Sequence, residues 1–429
     1  MREQELIVYR DFEDGALLKD MVYLIENYKK NDRDTLELQT LFYECFHKLL
    51  ELAGQYGFYG NLWHCYLSNL LVNNENSYSM ACEVVGEIEG IINEAVLHDI
   101  VILKELYDYD FSDMVNALGI HDFELALNYS CSTRESKVYN TRICKRIVEL
   151  ADRFNKAATP IEMKRVLTEF YRDYGVGKFG LHKAFRVQHT DNGAEIVPIT
   201  NIAHVKLDDL VGYESAKKKL TDNTSAFVKG KPCNNCLLFG DAGTGKSSSI
   251  KAIANMYYEE GLRIIEIYKH QFSDLNDVIA QIKNRNYKFI LYMDDLSFED
   301  FEIEYKYLKA VIEGGLEKKP KNVLIYATSN RRHLINEKFS ERGNADDEVH
   351  FRDTMQEKLS LYNRFGVTIF FESPSHKEFN HIVTELAKRN EIMMPEDELL
   401  LKAGQWEITH GGPSGRCAQQ FIQYLLGNR

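Results

Sequence analysis

The chain has 429 residues, of which 44% are hydrophobic and 27% are charged. This balance is typical of a folded globular protein and excludes a disordered, collagen-like or disulfide-scaffold chain. The length predicts two or three domains. The net charge of -13 argues against bulk electrostatic binding to nucleic acid or anionic lipid, because both need a positive protein surface.

The charge is unevenly distributed along the chain. Residues 1–200 hold 21 Lys and Arg against 32 Asp and Glu, whereas residues 201–429 hold 31 against 33. From Leu49 to Leu103 there is no Lys or Arg at all. The acidic excess therefore belongs to the first half, and we expect the two halves to be different domains.

Several features predict a cytoplasmic protein without a membrane span. No apolar run reaches the ~18 residues of a transmembrane helix, and the N-terminus lacks the apolar core of a signal peptide. Eight cysteines at irregular spacing fit a reducing compartment. Cys233 and Cys236 have the spacing of a zinc or redox pair, but no second pair follows, so we interpret both as non-metal residues.

Residues 1–175 are predicted to form an all-helical domain. Apolar residues recur at three- and four-residue spacing through 36–52 and 81–107, which is typical of amphipathic helices. Two interpretations of this half stay open. It is either a helical bundle with a solvated acidic face or a domain whose acidic surface holds an unknown protein client.

A β-hairpin linker is predicted over residues 176–206. Short β-like runs at 184–188 and 194–197 flank Asn192 and Gly193. Asn-Gly favours a type I′ turn because both turn residues must adopt positive φ.

Residues 207–372 are predicted to form an α/β nucleotide-binding domain, and residues 373–429 a helical lid. Short apolar runs alternate with helical stretches, which predicts a parallel sheet covered by helices on both faces. After Pro374 only helical patterns remain. The five predicted strands are 236–239, 263–268, 288–293, 322–328 and 367–371.

The most specific motif is a complete phosphate-binding loop, Gly240 to Ser247, after a strand and opening a helix. Its glycines let the backbone N–H groups curl inward as an anion nest, and the helix N-terminus adds partial positive charge. Lys246 is predicted to reach the β- and γ-phosphates, and the Ser247 hydroxyl to bind Mg²⁺. The predicted ATP-binding residues here are Gly240, Asp241, Ala242, Gly243, Thr244, Gly245, Lys246, Ser247 and Ser248.

Carboxylates follow the predicted strand 288–293. Asp294 is predicted to hold Mg²⁺ through water, and Asp295 to polarise the attacking water. Glu299 is an alternative or additional base. A competing interpretation is that Asp295 caps the next helix and hydrolysis is slow.

Asn330 follows the next strand, 322–328, and could position the attacking water near the γ-phosphate. The alternative is a turn-forming Asn. Its place beside two other phosphate-site strands favours a functional role.

In this order, these motifs resemble an AAA+ ATPase module with a helical lid. The segment 207–213 resembles the stretch that lies against the adenine, which implies Val211, Gly212 and Tyr213 as nucleotide contacts. The segment 361–366 resembles an arginine-finger box, and 412–416 resembles the sensor-2 motif of the lid.

A narrower resemblance is to a bacterial AAA+ family catalogued as domain of unknown function eight-one-five. It covers about Gly175 to the C-terminus and implies an ATP-binding fold without naming a substrate. The segments that carry it are 294–299, 312–317, 326–333 and 357–361.

The AAA+ resemblance implies roles for two arginines and self-assembly into a homo-oligomer. Arg364 would enter the neighbouring subunit's site and stabilise charge on the γ-phosphate, with Arg331 and Arg332 as rivals and a surface salt bridge as the alternative. Arg416 would reach the same phosphate in cis and report nucleotide state through the lid. A capping contact to residues 412–414 is the alternative for Arg416.

The predicted function is hydrolysis of ATP to ADP and phosphate with Mg²⁺, coupled to an unknown partner. The larger superfamily has Glu where Asp295 stands, so a nucleotide-dependent binding switch with negligible turnover is one alternative. A nucleic-acid-associated loader is another. The basic run Lys217, Lys218 and Lys219 favours a loader, whereas the net charge of -13 makes nucleic acid an unlikely partner.

Overall fold

The computed structural model describes residues 3–30, 35–130, 136, 138–191, 193–200, 202–297, 303–313, 320–330 and 364–428. The chain divides into two compact units, Met1–His182 and Lys183–Arg429. The boundary thus lies a few residues beyond position 175. Over the described ranges, no helix combines the length and apolar character that a membrane span needs.

The first unit is helical, as the residue spacing predicts. Its helices are α1 Ala16–Asn27, α2 Thr35–Tyr56, α3 Leu62–Asn73, α4 Ser77–Val85, α5 Ile92–Tyr107, α6 Ser112–Ala117, α7 Glu124–Leu127, α8 Thr141–Lys156, α9 Pro160–Tyr174 and α10 Gly177–Leu181. Helix α3 is buried along almost its whole length, as expected for a helix that is apolar on all sides. Within it, the Trp63 indole donates a hydrogen bond to the Leu106 carbonyl at 2.9 Å.

The apolar pattern over 81–107 is not one continuous helix. Helix α4 ends at Val85 and α5 begins at Ile92, with Gly86 at φ 77° and Gly90 at φ 115° between them. Glycine adopts these left-handed conformations without the steric cost that other residues meet. The two glycines therefore end one helix and turn the chain into the next.

A buried carboxylate fastens the N-terminal segment of this unit. Asp99, which is fully buried on α5, accepts backbone hydrogen bonds from Ile7 at 2.9 Å, Val8 at 2.6 Å and Tyr9 at 2.9 Å. Because a buried charge is stable only when it is well hydrogen-bonded, these donors hold the segment on the helix.

The second unit is built on a mixed α/β sheet. In the described residues, seven strands lie in the order β2-β1-β4-β5-β6-β3-β7. The strands are β1 Ala184–Thr190, β2 Gly193–Pro198, β3 Cys236–Gly240, β4 Leu262–Glu266, β5 Lys288–Met293, β6 Val323–Ser329 and β7 Val367–Phe371. The fold class is confirmed, and the strand count is larger than the predicted five.

The two additional strands are the predicted hairpin. Strand β1 pairs antiparallel with β2 and parallel with β4, so the hairpin extends the sheet instead of standing apart as a linker. Phe185 and Val187 on β1 are buried. Alternating buried residues are expected of a strand with one face against a core.

Helices cover the sheet and form the lid. The remaining helices are α11 Glu214–Val228, α12 Lys246–Met256, α13 Leu275–Ile282, α14 Ile303–Glu313, α15 His376–Arg389, α16 Glu396–Thr409 and α17 Gly415–Gly427. The last three share a core of their own, with Phe379, Val383, Ala403 and Phe421 buried among them. Single turns of 3-10 helix occur at Glu3–Glu5 and Leu207–Asp209, and a longer one at Lys269–Asp274.

Strand order places the site. Strand β3 lies between β6 and β7, and β6 separates it from β5. Met293 and Ala327 are paired in register on β5 and β6, so the polar residues that follow each strand meet at the same edge. In parallel sheets, this carboxyl edge is where ligands bind.

Candidate functional site

The loop between β3 and α12 requires glycine for steric reasons. Gly240 has φ 133°, and a Cβ there would lie 2.0 Å from the Phe371 carbonyl oxygen of β7. Gly245 has φ 93°, and its Cβ would lie 2.8 Å from Leu210 Cδ2. The backbone therefore passes closer to its neighbours than any side chain allows, as a phosphate-cradling turn must.

Lys246 opens α12 and turns back under the loop. The residue is only 5% exposed, and its ammonium donates to the carbonyl oxygens of Gly240 at 2.9 Å and Asp241 at 2.6 Å. Burial is the largest influence and lowers the pKa of Lys246 below its ordinary value, although nearby carboxylates oppose it. The site thus holds a desolvated cation beneath a ring of backbone groups.

Two hydroxyls meet on one oxygen of Asp294. Ser247 Oγ donates to Asp294 Oδ1 at 2.8 Å, and Thr328 Oγ1 donates to the same atom at 2.5 Å. Burial acts to raise the pKa of Asp294, but the hydrogen bonds outweigh it and hold that pKa below the ordinary value. The carboxylate therefore stays charged.

Ser247 and Asp294 fit a magnesium ion. Both supply hard oxygen ligands, and Mg²⁺ usually takes one or two protein oxygens and completes its shell with water and phosphate oxygens. The 2.8 Å contact between them places both groups at one point beside the phosphate-binding loop.

Asp295 sits in a left-handed backbone conformation, with φ 49°. Its N–H donates to Thr328 Oγ1 at 3.0 Å, and its Oδ1 accepts from Asn330 Nδ2 at 2.8 Å. Non-glycine residues rarely adopt this conformation, and those that do cluster at functional sites. The two contacts fix both the backbone and the carboxylate of Asp295.

The lid reaches the loop through the start of α17. The backbone N–H of Arg416 donates to the Gly243 carbonyl at 3.1 Å. Ser414 caps the helix, because its hydroxyl oxygen accepts from the Cys417 backbone N–H at 3.1 Å. The Arg416 charge is near enough to contribute to the lowered pKa of Lys246. The lid therefore brings a second cation to the site.

These groups surround one cavity of about 680 Å³. Its predicted lining residues are Val211, Tyr213, Ala242, Gly243, Thr244, Gly245, Lys246, Ser247, Ser248, Asp294, Asp295, Asn330 and Arg416. Ala242 and Asn330 are 88 positions apart along the chain, but they follow β3 and β6, which are neighbours in the sheet, and this explains the convergence.

Four other predicted residues are outside the cavity wall as the described residues define it: Gly212, Gly240, Asp241 and Arg364. Gly240 and Asp241 act through the carbonyls that hold Lys246. Arg364 instead forms an ion pair with Glu313 of α14. Glu299, Arg331 and Arg332, together with the arginine-box residues 361–363, fall in parts of the chain outside the described residues.

The sequence analysis missed several lining residues. Thr328 had a signal, because it is a polar residue at the end of an apolar strand. Ile382 and Leu386 are one helical turn apart on α15, and helical spacing could have marked that face. The other lining residues that were not predicted are His204, Val205, Asp209, Leu210, Gly415 and Gln419.

Tyr213 lines the cavity but is held by the end of β7. It has φ 62°, its hydroxyl donates to the Glu372 carbonyl at 3.0 Å, and its ring lies 5.3 Å from that of Phe371. Burial raises the pKa of Tyr213 to about 12, so the hydroxyl remains a donor. The segment 207–213 therefore contributes to the cavity wall while its last residue is held at the end of β7.

A mostly parallel sheet with the P-loop strand inside it, two carboxylates after the strand two places away and a three-helix lid together have the arrangement of an AAA+ module. The chain belongs to the family described as "Protein of unknown function (DUF815)", whose match covers residues 180–429. This confirms the narrower resemblance and its extent.

Individual relatives are more distant. Over 74 residues the chain is 39% identical to the replication factor C large subunit of Staphylothermus marinus, a segment that spans only 17% of each protein. An alanine-to-serine variant of Thermotoga maritima RuvB matches with 17% identity, covering 53% of this chain and 66% of that one at a TM-score of 0.37. The T. maritima RuvB Holliday junction branch migration motor matches with 14% identity, covering 52% and 73%, at 0.33.

Proposed function

We propose that this protein binds ATP with Mg²⁺ in the cavity beside the phosphate-binding loop and hydrolyses it. The observation that carries the proposal is the convergence of Lys246, Asp294 and Arg416 on one cavity. Lys246 and Arg416 are two cations that can bind phosphate oxygens, and Asp294 is a charged carboxylate that can hold a metal. Catalysis of phosphoryl transfer depends mainly on positioning the phosphates and stabilising their charge.

The loop and Lys246 would hold the phosphates. The Lys246 ammonium now bonds two carbonyls of its own loop, and these are weaker partners than an anion because charge-assisted bonds are the stronger ones. On binding, the ammonium would turn from the carbonyls to phosphate oxygens, while the loop N–H groups take the remaining oxygens.

Ser247 and Asp294 would hold the metal side of the nucleotide. Bound Mg²⁺ would neutralise charge on the phosphate oxygens. Ser247 can keep donating its proton to Asp294 while its lone pair faces outward, so their 2.8 Å hydrogen bond is compatible with this role.

Asp295 and Asn330 would handle the attacking water. A carboxylate can accept a proton from water, and an amide can orient it. Their mutual hydrogen bond of 2.8 Å brings both groups to one place, and breaking it would release both for a water molecule.

Arg416 would contact the phosphates in cis, and Arg364 would act in trans in the site of a second copy. The AAA+ resemblance implies both the assembly of copies and this role of Arg364. Arg364 must then leave its ion pair with Glu313. Both side chains of this pair are about one third exposed, so the pair contributes little to stability. The helical first unit would hold the protein partner that responds to nucleotide state.

The proposal is tested by phosphate release from the wild type, Lys246→Ala and Arg364→Ala over a range of protein concentrations. We expect wild-type turnover to rise with concentration and both variants to lose most of it. Mixing the two variants should restore part of the rate, because one supplies an intact loop and the other an intact Arg364. Equal rates in all three proteins would refute hydrolysis at this site.

The second candidate is a nucleotide-dependent binding switch with negligible turnover. The hydrogen bond from Asn330 to Asp295 favours it, because a short carboxylate held in this way is not available to a water molecule. Tight Mg²⁺-dependent ATP binding without phosphate release at any protein concentration would support the switch. Gain of turnover in Asp295→Glu would show that side-chain length is the limiting feature.

A further inference from the structure

One buried hydroxyl beneath the site lacks a hydrogen bond. Tyr292 on β5 is 3% exposed, and within the described part of the chain its hydroxyl has no hydrogen-bond partner. Leaving such a group unpaired destabilises the protein, whereas a phenylalanine would fill the same space without that cost. An unpaired buried hydroxyl beside a candidate active site is therefore explained if it becomes paired in a second, ligand-bound state of the protein.

The surroundings of this hydroxyl indicate what that partner is. Tyr292 stands two residues before Asp294, and side chains at this spacing share one face of a strand. Its hydroxyl is close enough to the Asp294 carboxylate and to the Ser247 and Thr328 hydroxyls for hydrogen bonding to influence the pKa values of Tyr292 and Asp294, but it has the geometry of a full hydrogen bond with none of them. Burial, and then the Asp294 charge, raise the pKa of Tyr292.

The Asp294 carboxylate has room for this donor. The hydrogen bonds from the Ser247 and Thr328 hydroxyls both fall on Oδ1. When a metal binds beside Ser247 and Asp294, a third donor to the carboxylate would help to keep it in place. Outer-shell donors of this kind typically change metal affinity 10- to 100-fold when removed.

We propose that Tyr292 is a positioning residue for the metal site, whose hydroxyl completes the hydrogen bonds of Asp294 only when the metal and nucleotide are bound. The inference rests on the proposed function, because it assumes that Ser247 and Asp294 hold Mg²⁺. It adds a residue that acts through Asp294 and does not touch the nucleotide.

The chain offers a matched control on the neighbouring strand. Tyr326 pairs in register with Tyr292 and is fully buried, but its hydroxyl is satisfied by Asn223 at 2.9 Å and Thr224 at 3.0 Å. Tyr292→Phe and Tyr326→Phe therefore remove the same atom from the same sheet. The first removes an unpaired group beside Asp294, and the second removes a group paired with residues of α11.

The experiment is a Mg²⁺ titration of fluorescent ATP-analogue binding to the full chain, together with thermal unfolding in EDTA. For Tyr292→Phe we expect unchanged affinity in EDTA, an unchanged or higher Tm in EDTA, and a Mg²⁺ midpoint raised about tenfold. For Tyr326→Phe we expect the wild-type Mg²⁺ midpoint and a Tm lowered by about 2–4 °C.

Three results would overturn the inference: a wild-type Mg²⁺ midpoint in Tyr292→Phe, an equal loss of affinity with and without Mg²⁺, or a lowered Tm or failure to fold in EDTA. The last would mean that the hydroxyl is already paired in the unliganded protein. A wild-type protein that binds the analogue without any Mg²⁺ dependence would refute the proposed metal site itself, so the two failures are distinguishable.

Discussion

The hydroxyl of Thr328 donates to Asp294 Oδ1 across 2.5 Å and joins the ends of β5 and β6. Thr328 Oγ1 also accepts a hydrogen bond from the Asp295 backbone N–H at 3.0 Å. One side chain on β6 thus orients the first carboxylate and fixes the strained backbone of the second. The geometry of the acidic pair depends on the neighbouring strand as much as on its own.

Thr328→Val should therefore weaken the metal-dependent step. Valine keeps the shape of threonine but can neither donate to Asp294 nor accept from Asp295. We expect Mg²⁺-dependent nucleotide affinity or turnover to fall about tenfold, as for other outer-shell partners, measured by the Mg²⁺ midpoint of nucleotide binding. Thr328→Ser keeps the hydroxyl and serves as the control. Wild-type behaviour in Thr328→Val would contradict the orienting role.

Lys246→Ala should abolish most nucleotide binding. The substitution removes the buried cation below the loop, whose hydrogen bonds to charged groups are worth about 1.5–3 kcal/mol each. That corresponds to a loss of about 10- to 100-fold in affinity, measurable by equilibrium titration with a fluorescent nucleotide. Lys251→Ala, on the exposed side of the same helix, should bind like the wild type. If both variants bind equally well, the ligand does not contact Lys246.

Nucleotide affinity should also fall on the alkaline side, at a pH below the ordinary titration range of lysine. Burial lowers the pKa of Lys246, so the unliganded site loses this proton earlier than a solvated lysine does. Phosphate favours the charged form, so binding takes up a proton once the pH exceeds the lowered pKa, and affinity then decreases with further rise in pH. Titrations between pH 7 and about 10.5 test this. Lys246→Ala should lack the Lys246-dependent part of the slope.

The loop could be predicted because its requirements are local. Gly240, Gly245 and Lys246 stand within a few residues of one another, and their order alone specifies a turn followed by a helix. The sheet was predicted less completely. That β1 pairs with β4 depends on chain segments far apart in sequence, so a local hairpin signal at Asn192 and Gly193 could not reveal that the hairpin extends the sheet.

The wall of the site was predicted in part for the same reason. Asp294 and Asn330 follow apolar strands and carry chemistry that a sequence displays. Ile382 and Leu386 are ordinary apolar helix residues, and only the folding of the lid against the loop brings them to the cavity. The ion pair of Arg364 with Glu313 likewise joins two segments that lie far apart in the sequence, and no residue pattern indicates that they are close in the fold.

Asp99 should be a major contributor to the stability of the helical unit. Its carboxylate satisfies three successive backbone N–H groups, those of Ile7, Val8 and Tyr9. Asp99→Ala would leave these donors unpaired or release the segment, and release would expose the buried side chains of Leu6 and Tyr9. Either outcome costs at least one buried hydrogen-bonding group, so we expect a loss of about 3 kcal/mol in the free energy of unfolding.

Chemical denaturation of the full chain, followed by a probe of the helical unit, measures that loss, and limited proteolysis near residues 3–10 reports local release. Glu94→Ala provides the control, because Glu94 is an exposed acid on the same helix and its removal should change stability by less than about 0.5 kcal/mol. Nucleotide affinity should be the same in both variants and in the wild type, because Asp99 belongs to the unit before His182. Equal stability of Asp99→Ala and Glu94→Ala would mean that the three N–H groups find other partners at no cost. The Asp99 carboxylate would then not be what holds the N-terminal segment on the helix.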